Sequence, residues 1–583
     1  MRREGMSVVE VILAGALFVI VAIPIVGLLI QSFTSNRLGN EETIATQYAA
    51  EGLEAVRDIH NRSFSALANS TGTGVAVVGG VWTFSGTSST FGKYTRIITV
   101  SSTFRDVSGN IVASGTPDPD TKQVISTVSW NRGAFTDSVA LNTYLTNWRG
   151  LFGGGMLVYG NGATTTDAIQ YQTFDGQNWS TATGTADVST STTNRALRAV
   201  VLYSSLTRNE KVMLSRHFDG ASQFIYGQVY NGVSSTWGNV QLLSSFSSTA
   251  LLDVQNFDGT YLANGDFMAI YSDNTAIPKS STWNGSVWSA QVSMQTITKA
   301  PTYIVARARQ KTNEVMAAIF DQASSTYTQY FNGGTYATAN WALTTHATAA
   351  PTSTTRLIDF KWSPASSTEG VLVYAASTST KALSLKRWTA NGSGSGNWSG
   401  AVTSGNTTST LRSLSVDASN ITEVYMGCDK DASSTIRCFN SSNAPAWGSP
   451  TNNVIAATTD SGIERSYQFA FEGNSGVLGI VVYSDNTATP KYKIYTASTT
   501  TFAATATSTS ALNASTTGVN ALPRPDNNDI IVLLSDATRR LYTIVWDGNA
   551  VAMATTTGRA FTAHGTNGSA INEFWYSFAW DTL

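Results

Sequence analysis

The chain has 583 residues, too many for one ordinary core, since single domains usually hold about 100 to 200 residues. Charged residues make up only 13% of it, against about 25% in average soluble proteins. The formal net charge is −2, and the sequence shows no basic patch that would indicate a nucleic acid as partner. Together with 48 Gly, 15 Trp and 22 Tyr, this composition is typical of an all-β extracellular protein.

The first predicted element is a long apolar helix. After Glu10 comes the uncharged run VILAGALFVIVAIPIVGLLI, residues 11–30, which as a helix is roughly 30 Å long and crosses a bilayer core. A secretory signal has a shorter apolar region and an Ala-x-Ala-like cleavage site, and this sequence has neither. A plain uncleaved anchor explains the length and the basic Arg2 and Arg3. It leaves Glu10 at membrane depth without a partner, which is costly.

The order Arg-Arg-Glu-Gly, Met-Ser-Val-Val-Glu and then an unbroken apolar helix resembles the leader of type IV prepilins and pseudopilins. The resemblance implies that a prepilin peptidase cuts between Gly5 and Met6 and that the new amine on Met6 is N-methylated. It also implies that Glu10 neutralises the N-terminal amine of a neighbouring subunit in a filament, an ion pair suited to an apolar setting. Met6 stands where the commoner residue of the family is Phe.

The helix is expected to continue past the membrane segment through QYAAEGLEAVRDI, residues 47–59, a type of stretch that minor prepilin-like subunits commonly show. Pro24 removes one helical hydrogen bond and predicts a kink. We therefore predict a leader over residues 1–5 and a transmembrane and amphipathic helix over residues 6–60. The apolar residues at helical spacing that support this are Ala45, Ala49, Leu53 and Val56.

Residues 61–150 change to short alternating strands such as YTRIITVSSTF and KQVISTVSW, separated by turn residues. They predict a small β-sheet head of the size that pilins pack on their helix. The stretch DPDTK, residues 118–122, lacks the later acidic ligands and the glycine of a calcium loop, so it indicates a surface turn. Residues 151–155, which include three glycines, are predicted to be a linker.

From residue 156 to 583 the chain is repetitive. YSDNTAIPK at 271–279 returns as YSDNTATPK at 483–491, an offset of 212 residues, or four periods of 53. Eight copies share a hydrophobic strand followed by a small or acidic turn: MLVYGN, VMLSRHFD, FMAIYSD, VMAAIFD, GVLVYAA, VYMGCD, GIVVYSD and IIVLLSD. Most copies are followed by a second strand and a turn with Gly, Asn or Trp, and seven are preceded by another short strand.

Four short strands every 50 residues or so predict the blades of a β-propeller. The first copy lacks the preceding strand, and NEFWYSFAWDTL at the C-terminus has the missing strand type. We therefore predict that the C-terminal strand completes the first blade and closes the ring, which hides the sheet edges. The expected fold class is mainly β: a long N-terminal pilin helix with a small β-sheet head, followed by an eight-bladed propeller. Seven blades remain the alternative if one weak repeat is only a loop.

Six tryptophans lie at related positions near a turn of the repeats. Because aromatic side chains commonly dominate such cores, packing between blades is the favoured interpretation. The alternative is a ring of sugar-stacking platforms like those of propeller lectins, but no Arg or Glu recurs beside the Trp, so no glycan site is predicted. The six are Trp179, Trp237, Trp288, Trp341, Trp398 and Trp447.

The two cysteines, Cys428 and Cys438, fall on adjacent predicted strands of the sixth repeat. In an exported protein a hairpin disulfide is favoured over two free thiols. By the chain-entropy model such a bond adds roughly 3 kcal/mol of stability. With no histidine near them, metal binding is not expected.

Residues that carry enzyme chemistry are sparse. The four histidines, at positions 60, 217, 346 and 564, are scattered without the spacing of a metal site, and no G-x-S-x-G motif occurs. We predict no catalytic residue, no metal and no cofactor. A glycosidase built from carboxylates far apart in the sequence stays open as an alternative.

As a whole, the sequence predicts a minor type IV pilin or pseudopilin that displays a β-propeller as an adhesion or ligand-binding module. The precursor is expected in the cytoplasmic membrane with its head exported, and the mature form in a cell-surface filament or pseudopilus. Expected partners are other pilin or pseudopilin subunits, the prepilin peptidase, the membrane before assembly, and an unidentified extracellular glycan or protein. Two alternatives stay open: a structural subunit that primes or caps a pilus or type II secretion pseudopilus, and a surface glycan hydrolase.

Overall fold

The structure of the protein is a computed structural model. The chain folds into two units, unit 1 (Met1–Leu151) and unit 2 (Phe152–Leu583). The division falls at the glycine stretch that follows the predicted head. The residues that the structure describes are 7–62, 66–78, 80–106, 110–146, 154–160, 168–181, 183–187, 195–250, 252, 254–348, 356–364, 366, 368–376, 381–392, 394–404, 409–420, 424–441, 454–456, 465–548, 553, 559–566 and 575–581.

Unit 1 begins with one long helix, α1 (Val8–Arg62), which contains Pro24. Its most apolar stretch has a mean hydropathy of 2.9 and none of that stretch is buried, so α1 is long and apolar enough to cross a membrane. Large apolar side chains stay exposed from Val8 to Phe33. From Glu41 onward one face of the helix is buried, so α1 has a bare N-terminal part and a packed C-terminal part.

The rest of unit 1 is a β-sheet. The strand order is β1-β5-β7-β8, with β4 and β6 also pairing with β5, and β2 and β3 form a separate two-stranded sheet. Residues 118–122, the predicted surface turn, lie within β7, at a register shift where Lys122 pairs with Ser102 and Asp118 pairs with Thr103. The strands are β1 (Ser70–Thr73), β2 (Val75–Val78), β3 (Val81–Phe84), β4 (Ser89–Phe91), β5 (Tyr94–Arg105), β6 (Ile111–Val112), β7 (Thr116–Arg132) and β8 (Phe135–Thr146).

Small residues let α1 lie close against this sheet. A Cβ on Gly52 would lie 2.5 Å from Ser126 Oγ on β7, and both Ala45 and Ala49 are fully buried. Around them, Leu53, Val56 and Ile59 on the helix share a core with Ile98 and Val124 on the sheet. The helix residues that sequence periodicity assigned to a packed face are therefore the ones that contact the sheet.

Glu41 links the helix to the sheet where the packed part begins. Its carboxylate accepts hydrogen bonds from Lys93 Nζ (2.6 Å) and from the indole of Trp130 (3.2 Å). The hydroxyl of Tyr94 donates to the Glu41 carbonyl (3.3 Å). The bond from Lys93 keeps the pKa of the Glu41 carboxyl below its ordinary value, so the charge persists near the apolar core.

Unit 2 consists of eight antiparallel sheets of four or five strands in its described residues, here numbered 1 to 8 in chain order. Sheet 1 contains β9 (Gly155–Gly160), β10 (Ala168–Phe174), β11 (Gly184–Asp187) and a strand from the C-terminus. Sheet 2 contains β12 (Ala196–Ser204), β13 (Glu210–Phe218), β14 (Ser222–Asn231) and β15 (Thr236–Ser247). Sheet 3 contains β16 (Phe257–Tyr261), β17 (Phe267–Tyr271), β18 (Lys279–Trp283) and β19 (Val292–Ser293). Sheet 4 contains β20 (Pro301–Ala308), β21 (Val315–Asp321), β22 (Thr326–Phe331) and β23 (Trp341–Ala347), with a short 3-10 helix at Thr338–Asn340.

The second half of unit 2 repeats this pattern. Sheet 5 contains β24 (Ile358–Trp362), β25 (Glu369–Ala375), β26 (Leu383–Ala390), β27 (Gly396–Trp398) and β28 (Val402–Thr403). Sheet 6 contains β29 (Leu411–Ala418), β30 (Tyr425–Asp431), β31 (Ile436–Ser441) and β32 (Val454–Ala456). Sheet 7 contains β33 (Tyr467–Phe471), β34 (Leu478–Tyr483), β35 (Lys491–Thr496), β36 (Thr501–Phe502) and β37 (Thr507–Ser508). Sheet 8 contains β38 (Thr516–Pro523), β39 (Ile530–Asp536), β40 (Arg540–Trp546) and β41 (Thr562–Thr566), and β42 (Tyr576–Trp580) returns to sheet 1.

The first strand of each of sheets 2 to 7 contacts the first strand of the next sheet, and β42 contacts β12. In sheet 1, β42 pairs antiparallel with β9, with Tyr576 opposite Tyr159 and Trp580 opposite Gly155. The indole of Trp580 donates to the Leu522 carbonyl on β38 (2.9 Å), which connects sheet 8 to sheet 1. The prediction of a mainly β chain is confirmed, and the small antiparallel sheets are consistent with a β-propeller.

The described tryptophans of the repeats pack inward. Four of them contact the preceding sheet: three through aromatic rings, and Trp288 by donating its indole N–H to the Asn239 carbonyl. Trp341 packs on Phe331 of its own sheet, and Trp447 lies outside the described residues. The contacts favour packing over exposed sugar platforms. The ring pairs and their centroid distances are Trp179 with His564 (4.5 Å), Trp237 with Tyr171 (5.8 Å) and Trp398 with His346 (4.8 Å).

The contact between sheets 2 and 3 predicts an effect of one added methyl group. A Cβ on Gly227 of β14 would lie 2.7 Å from the indole of Trp288, whereas a Cβ on Gly238 of β15 would meet nothing within 4 Å. Overpacking a rigid ring costs about 1 to 3 kcal/mol. We expect Gly227→Ala to lower the free energy of unfolding by that amount and Gly238→Ala to leave it unchanged, measured by urea unfolding of the full chain in detergent. Equal stability of the two variants would contradict the contact.

Candidate functional site

One cavity, of about 280 Å³, runs between the first strands of the sheets of unit 2. Strands from all eight sheets contribute to its wall. Cavities where several elements converge are favoured places for ligands, so this cavity is the candidate site. The strands that line it, here called the inner strands, are β12, β16, β20, β24, β29, β33, β38 and β42.

Three inner-strand aspartates bind the backbone of the next sheet. In each case a carboxylate oxygen accepts a hydrogen bond from a backbone N–H of the neighbouring inner strand. A bond of this kind satisfies a backbone polar group on the inner edge of a sheet, where the described residues form no strand ladder with the neighbouring sheet. The pairs are Asp258 with Ala306 (2.9 Å), Asp359 with Val416 (3.0 Å) and Asp417 with Phe471 (2.8 Å).

Each aspartate also has a cationic partner. Every one of the three carboxylates is at least nine-tenths buried, whereas the side chains of Arg307 and Lys361 keep 38% and 33% of their surface exposed. Water or a ligand in this region therefore meets the cations rather than the carboxylates. The ion pairs are Arg307 with Asp258 (2.8 Å), Arg356 with Asp359 (3.3 Å) and Lys361 with Asp417 (2.7 Å).

Two raised pKa values keep the groups beside Asp258 protonated. Burial, followed by the nearby Asp258 carboxylate, raises the pKa of Tyr203 well above its ordinary value, so its hydroxyl stays protonated and donates to Asp258. Burial lowers the pKa of Arg307, but Asp258, Asp359 and Tyr203 raise it by more, so the net shift is upward. Arg307 is therefore a permanent cation.

A polar bridge crosses the cavity at the end where the inner strands begin. Arg465, just before β33, donates from Nη2 to Gln255 Oε1, just before β16, over 2.6 Å. These strands belong to sheets 7 and 3, which lie four sheets apart in chain order. The bridge narrows this end of the cavity.

At the other end, where the inner strands finish, two adjoining cavities of about 340 and 470 Å³ share Thr260, Arg307, Pro523 and Pro525 in their walls. We call this combined space the vestibule. Lys361 lies in the wall of the larger part. The smaller part is lined by Leu206, whose side chain is 55% exposed. The vestibule therefore combines accessible cations with an apolar rim.

The histidines of unit 2 do not form a catalytic group. His217 is fully buried, and His346 and His564 are partly exposed. All three bind neighbouring side chains, with Nε2 to hydroxyl distances of 3.0 Å to Ser215 for His217, 2.8 Å to Thr328 for His346 and 2.8 Å to Thr543 for His564. Burial lowers the pKa of His217 and of His346 to about 3 and that of His564 to about 4. Within the described part of the chain, no group of His, Cys, Asp and Glu is placed to hold a metal ion.

Cys428 and Cys438 are joined by a disulfide in the structure. They lie directly opposite each other on β30 and β31, and both are fully buried. The bond therefore links two neighbouring strands of sheet 6 and lies away from the cavity wall.

The processing residues Gly5 and Met6 lie outside the described residues, whereas Glu10 lies in the first turn of α1. Its carboxylate accepts a hydrogen bond from the backbone N–H of Ser7 (3.0 Å), and Ser7 Oγ accepts one from the N–H of Val9 (3.3 Å). This arrangement is a variant of the capping box in which the Ser7 hydroxyl accepts from the second helical N–H instead of the third, and it satisfies N–H groups at the helix start. Glu10 thus has a local structural role that its sequence position alone did not suggest.

Sequence reasoning missed the inner-strand aspartates. The stretches FDGTY, LIDFKW and LSVDA each contain an acidic residue inside a strand whose other side chains are mostly buried. Such a residue needs a partner, and this mismatch is the signal that identifies Asp258, Asp359 and Asp417. The residues that line the vestibule carry no comparable local signal.

No family model and no curated protein matches the chain. Among solved structures, the chain is similar to the BP39L lectin from Burkholderia pseudomallei, at 9% identity over 62% of this chain and 99% of that one, with a TM-score of 0.43. It is similar to a putative 6-phosphogluconolactonase from Bacteroides uniformis, at 14% identity over 65% and 99%, with a TM-score of 0.38. It is also similar to the WD40 domain of SCAP from fission yeast, at 9% identity over 66% and 90%, with a TM-score of 0.35. Identities and scores are low, so the fold and function rest on the chain's own sheets and residues.

The lowered pKa values of the histidines in unit 2 predict a pH dependence of stability. Since the pKa of His564 falls from 6.5 to about 4 on folding, its stabilising contribution is complete above pH 6.5 and is lost as the pH falls towards 4. In that window the free energy of unfolding should fall by up to about 1.4 kcal/mol per pH unit for this group. We expect His564→Gln to remove this component, so that the difference between wild type and variant narrows or reverses from pH 7 to pH 4.5 in urea unfolding.

Other groups titrate in the same range, including Asp429, whose pKa burial raises to about 6. They act equally in wild type and variant, so the difference between the two isolates His564. Curves that run parallel from pH 7 to pH 4.5 would contradict the prediction.

Proposed function

We propose that the chain is a minor type IV pilin or pseudopilin that presents an eight-bladed β-propeller as an adhesion or ligand-binding module on a surface filament. The observation that carries the filament part is the division of α1 into two parts. The first part exposes apolar side chains as far as Phe33, and the second packs onto its own sheet from Glu41 onward. An apolar helix projecting from a folded head fits both a membrane before assembly and a bundle of like helices after it.

The proposed cleavage between Gly5 and Met6 rests on the resemblance of the leader. Cleavage there leaves Ser7 and Glu10 together in the mature chain, so the capping box is retained. In the precursor the head is exported while the helix stays in the cytoplasmic membrane, and the mature chain joins other pilin or pseudopilin subunits in a filament or pseudopilus.

Eight sheets, each with an inner strand on one cavity, support eight blades rather than seven. A ligand-binding role for this propeller is supported by the cavity and vestibule, where accessible cations lie beside an apolar rim. We propose a role without catalysis, metal or cofactor, because the three histidines of unit 2 have lowered pKa values and bind neighbouring side chains.

One observation favours the structural alternative, a subunit that primes or caps filament assembly. Unit 1 has its own core between α1 and the sheet, so it has the parts that assembly would need. In that case the propeller is dispensable for the filament itself.

Removal of residues 156–583 separates the two functions. We expect cells that carry this deletion to form filaments but to lose attachment to the surface or partner that wild-type cells bind, because the ligand-binding unit is gone while unit 1 keeps its core. Attachment and filament number are counted on the same cells. Attachment equal to wild type would refute the adhesion role, and filament loss in the full deletion that is restored by residues 1–150 would favour priming.

The charge of Glu10 is tested separately from its capping role. Glu10→Gln keeps an oxygen that accepts from the Ser7 N–H but loses the charge, and Glu10→Ala loses both. We expect N-terminal sequencing of the mature protein to start at Met6 and both variants to fail to enter filaments, measured by immunoblotting of sheared filaments. Incorporation of Glu10→Gln at the wild-type level would show that only the cap matters, and a start at Met1 would refute processing.

A further inference from the structure

The vestibule has a positive accessible surface although its charges are formally balanced. Asp258 already accepts hydrogen bonds from Tyr203, Gly259 and Ala306 besides its ion pair with Arg307. Its side chain is 5% exposed, against 38% for Arg307. The carboxylate is therefore occupied by the structure, and the guanidinium is the group that a ligand meets.

Lys361 shows the same asymmetry on the next inner strand. Its partner Asp417 accepts from the backbone N–H of Phe471 (2.8 Å) and is 9% exposed, against 33% for Lys361. Arg307 and Lys361 both lie in the wall of the larger part of the vestibule. Charge-assisted hydrogen bonds to a carboxylate are among the strongest in proteins, so two exposed cations in one wall favour a carboxylate as the ligand.

The rim around this site is apolar. Leu206 is 55% exposed, and Pro525 is also exposed, while Pro364 and Pro523 are partly exposed. Covering an exposed apolar rim with apolar side chains is favourable, because it removes apolar surface from water. The wall of the larger part also contains the exposed polar side chain of Gln310. The end of a polypeptide matches this mixture, since its apolar side chains cover the rim and its backbone amides supply hydrogen-bond donors and acceptors.

A ligand can enter the cavity more easily from the end where the inner strands finish. The bridge between Arg465 and Gln255 crosses the cavity where the inner strands begin, whereas the vestibule lies where they finish. A ligand that enters there presents its end to Arg307 and Lys361 and leaves the remainder against the rim.

We propose that the vestibule binds the C-terminal end of a partner polypeptide, with its carboxylate on Arg307 and Lys361 and its apolar side chains on Leu206 and the prolines. This inference rests on the proposed ligand-binding role of the propeller and names the class of ligand.

The test uses the full chain in detergent and isothermal titration calorimetry. The probes are the tripeptide acetyl-Ala-Leu-Val with a free C-terminal carboxylate and the same tripeptide as its C-terminal amide. We expect the carboxylate form to bind at least tenfold more tightly than the amide. Lys361→Gln should weaken binding of the carboxylate form about tenfold, since one charged hydrogen bond is lost.

Two matched controls accompany these measurements. Lys491→Gln removes a lysine of similar exposure, 38%, that pairs with Asp485 outside the vestibule, and it should leave binding unchanged. On the rim, Leu206→Asp should weaken binding by charge repulsion, whereas Val233→Asp, at a position 85% exposed in the turn between β14 and β15, should not. Leu206→Asp also keeps the test decisive if Lys361→Gln fails to fold, which circular dichroism reports.

Equal binding of the carboxylate and the amide would overturn the proposal, as would unchanged binding in both Lys361→Gln and Leu206→Asp. Binding of glucuronate at concentrations where the tripeptide does not bind would overturn the assignment to a polypeptide. The attachment assay separates this site from the wider function. If removal of residues 156–583 abolishes attachment while Lys361→Gln and Leu206→Asp do not affect it, only the site assignment fails.

Discussion

Unit 2 depends on the pairing of its last strand with its first, Tyr576–Trp580 with Gly155–Gly160. Without that pairing, β9 would present an open edge, and such edges promote aggregation. The side chains of β42 extend the connection, since Trp580 reaches the Leu522 carbonyl of sheet 8 and Ser577 accepts from the Leu202 N–H of sheet 2. The cost of closing so long a chain segment rises only slowly with its length, so a few such contacts in addition to the strand ladder are enough to hold the ends together.

Once the inner strands surround a common cavity, the backbone groups on their inner edges, which no strand ladder joins, need partners. Asp258, Asp359 and Asp417 supply them by binding N–H groups of the next sheet. Burying these carboxylates requires cations, and those cations then face the solvent of the cavity and vestibule. The positive accessible surface is thus a consequence of how neighbouring sheets are joined. The proposed ligand site consists of groups that also stabilise the fold, so the effect of Lys361→Gln is compared with that of Lys491→Gln, which removes a similar ion pair outside the vestibule.

In unit 1, the two parts of the helix α1 have different surroundings. Small residues such as Ala45, Ala49 and Gly52 bring the packed part close to the sheet, and Glu41 anchors the point where packing begins. On the N-terminal side of Glu41, large apolar side chains of α1 are exposed rather than packed against the described residues of unit 1. At the start of the same helix, Glu10 closes a capping box, so its carboxylate already has a hydrogen-bond donor before any assembly.

The sequence by itself determined the order of elements: a long apolar helix, a small sheet, and repeats whose strands recur every 50 residues or so. These features are readable because helix, strand and repeat patterns are local periodicities. It also indicated that the C-terminal segment is the strand missing from the first repeat. Only the tertiary structure decided which side chains meet, such as Asp359 with Val416 or Trp288 with Asn239, and it alone revealed the accessible cations of the vestibule. These contacts join residues about one repeat apart, and no local pattern specifies which atoms of neighbouring sheets come within hydrogen-bond distance.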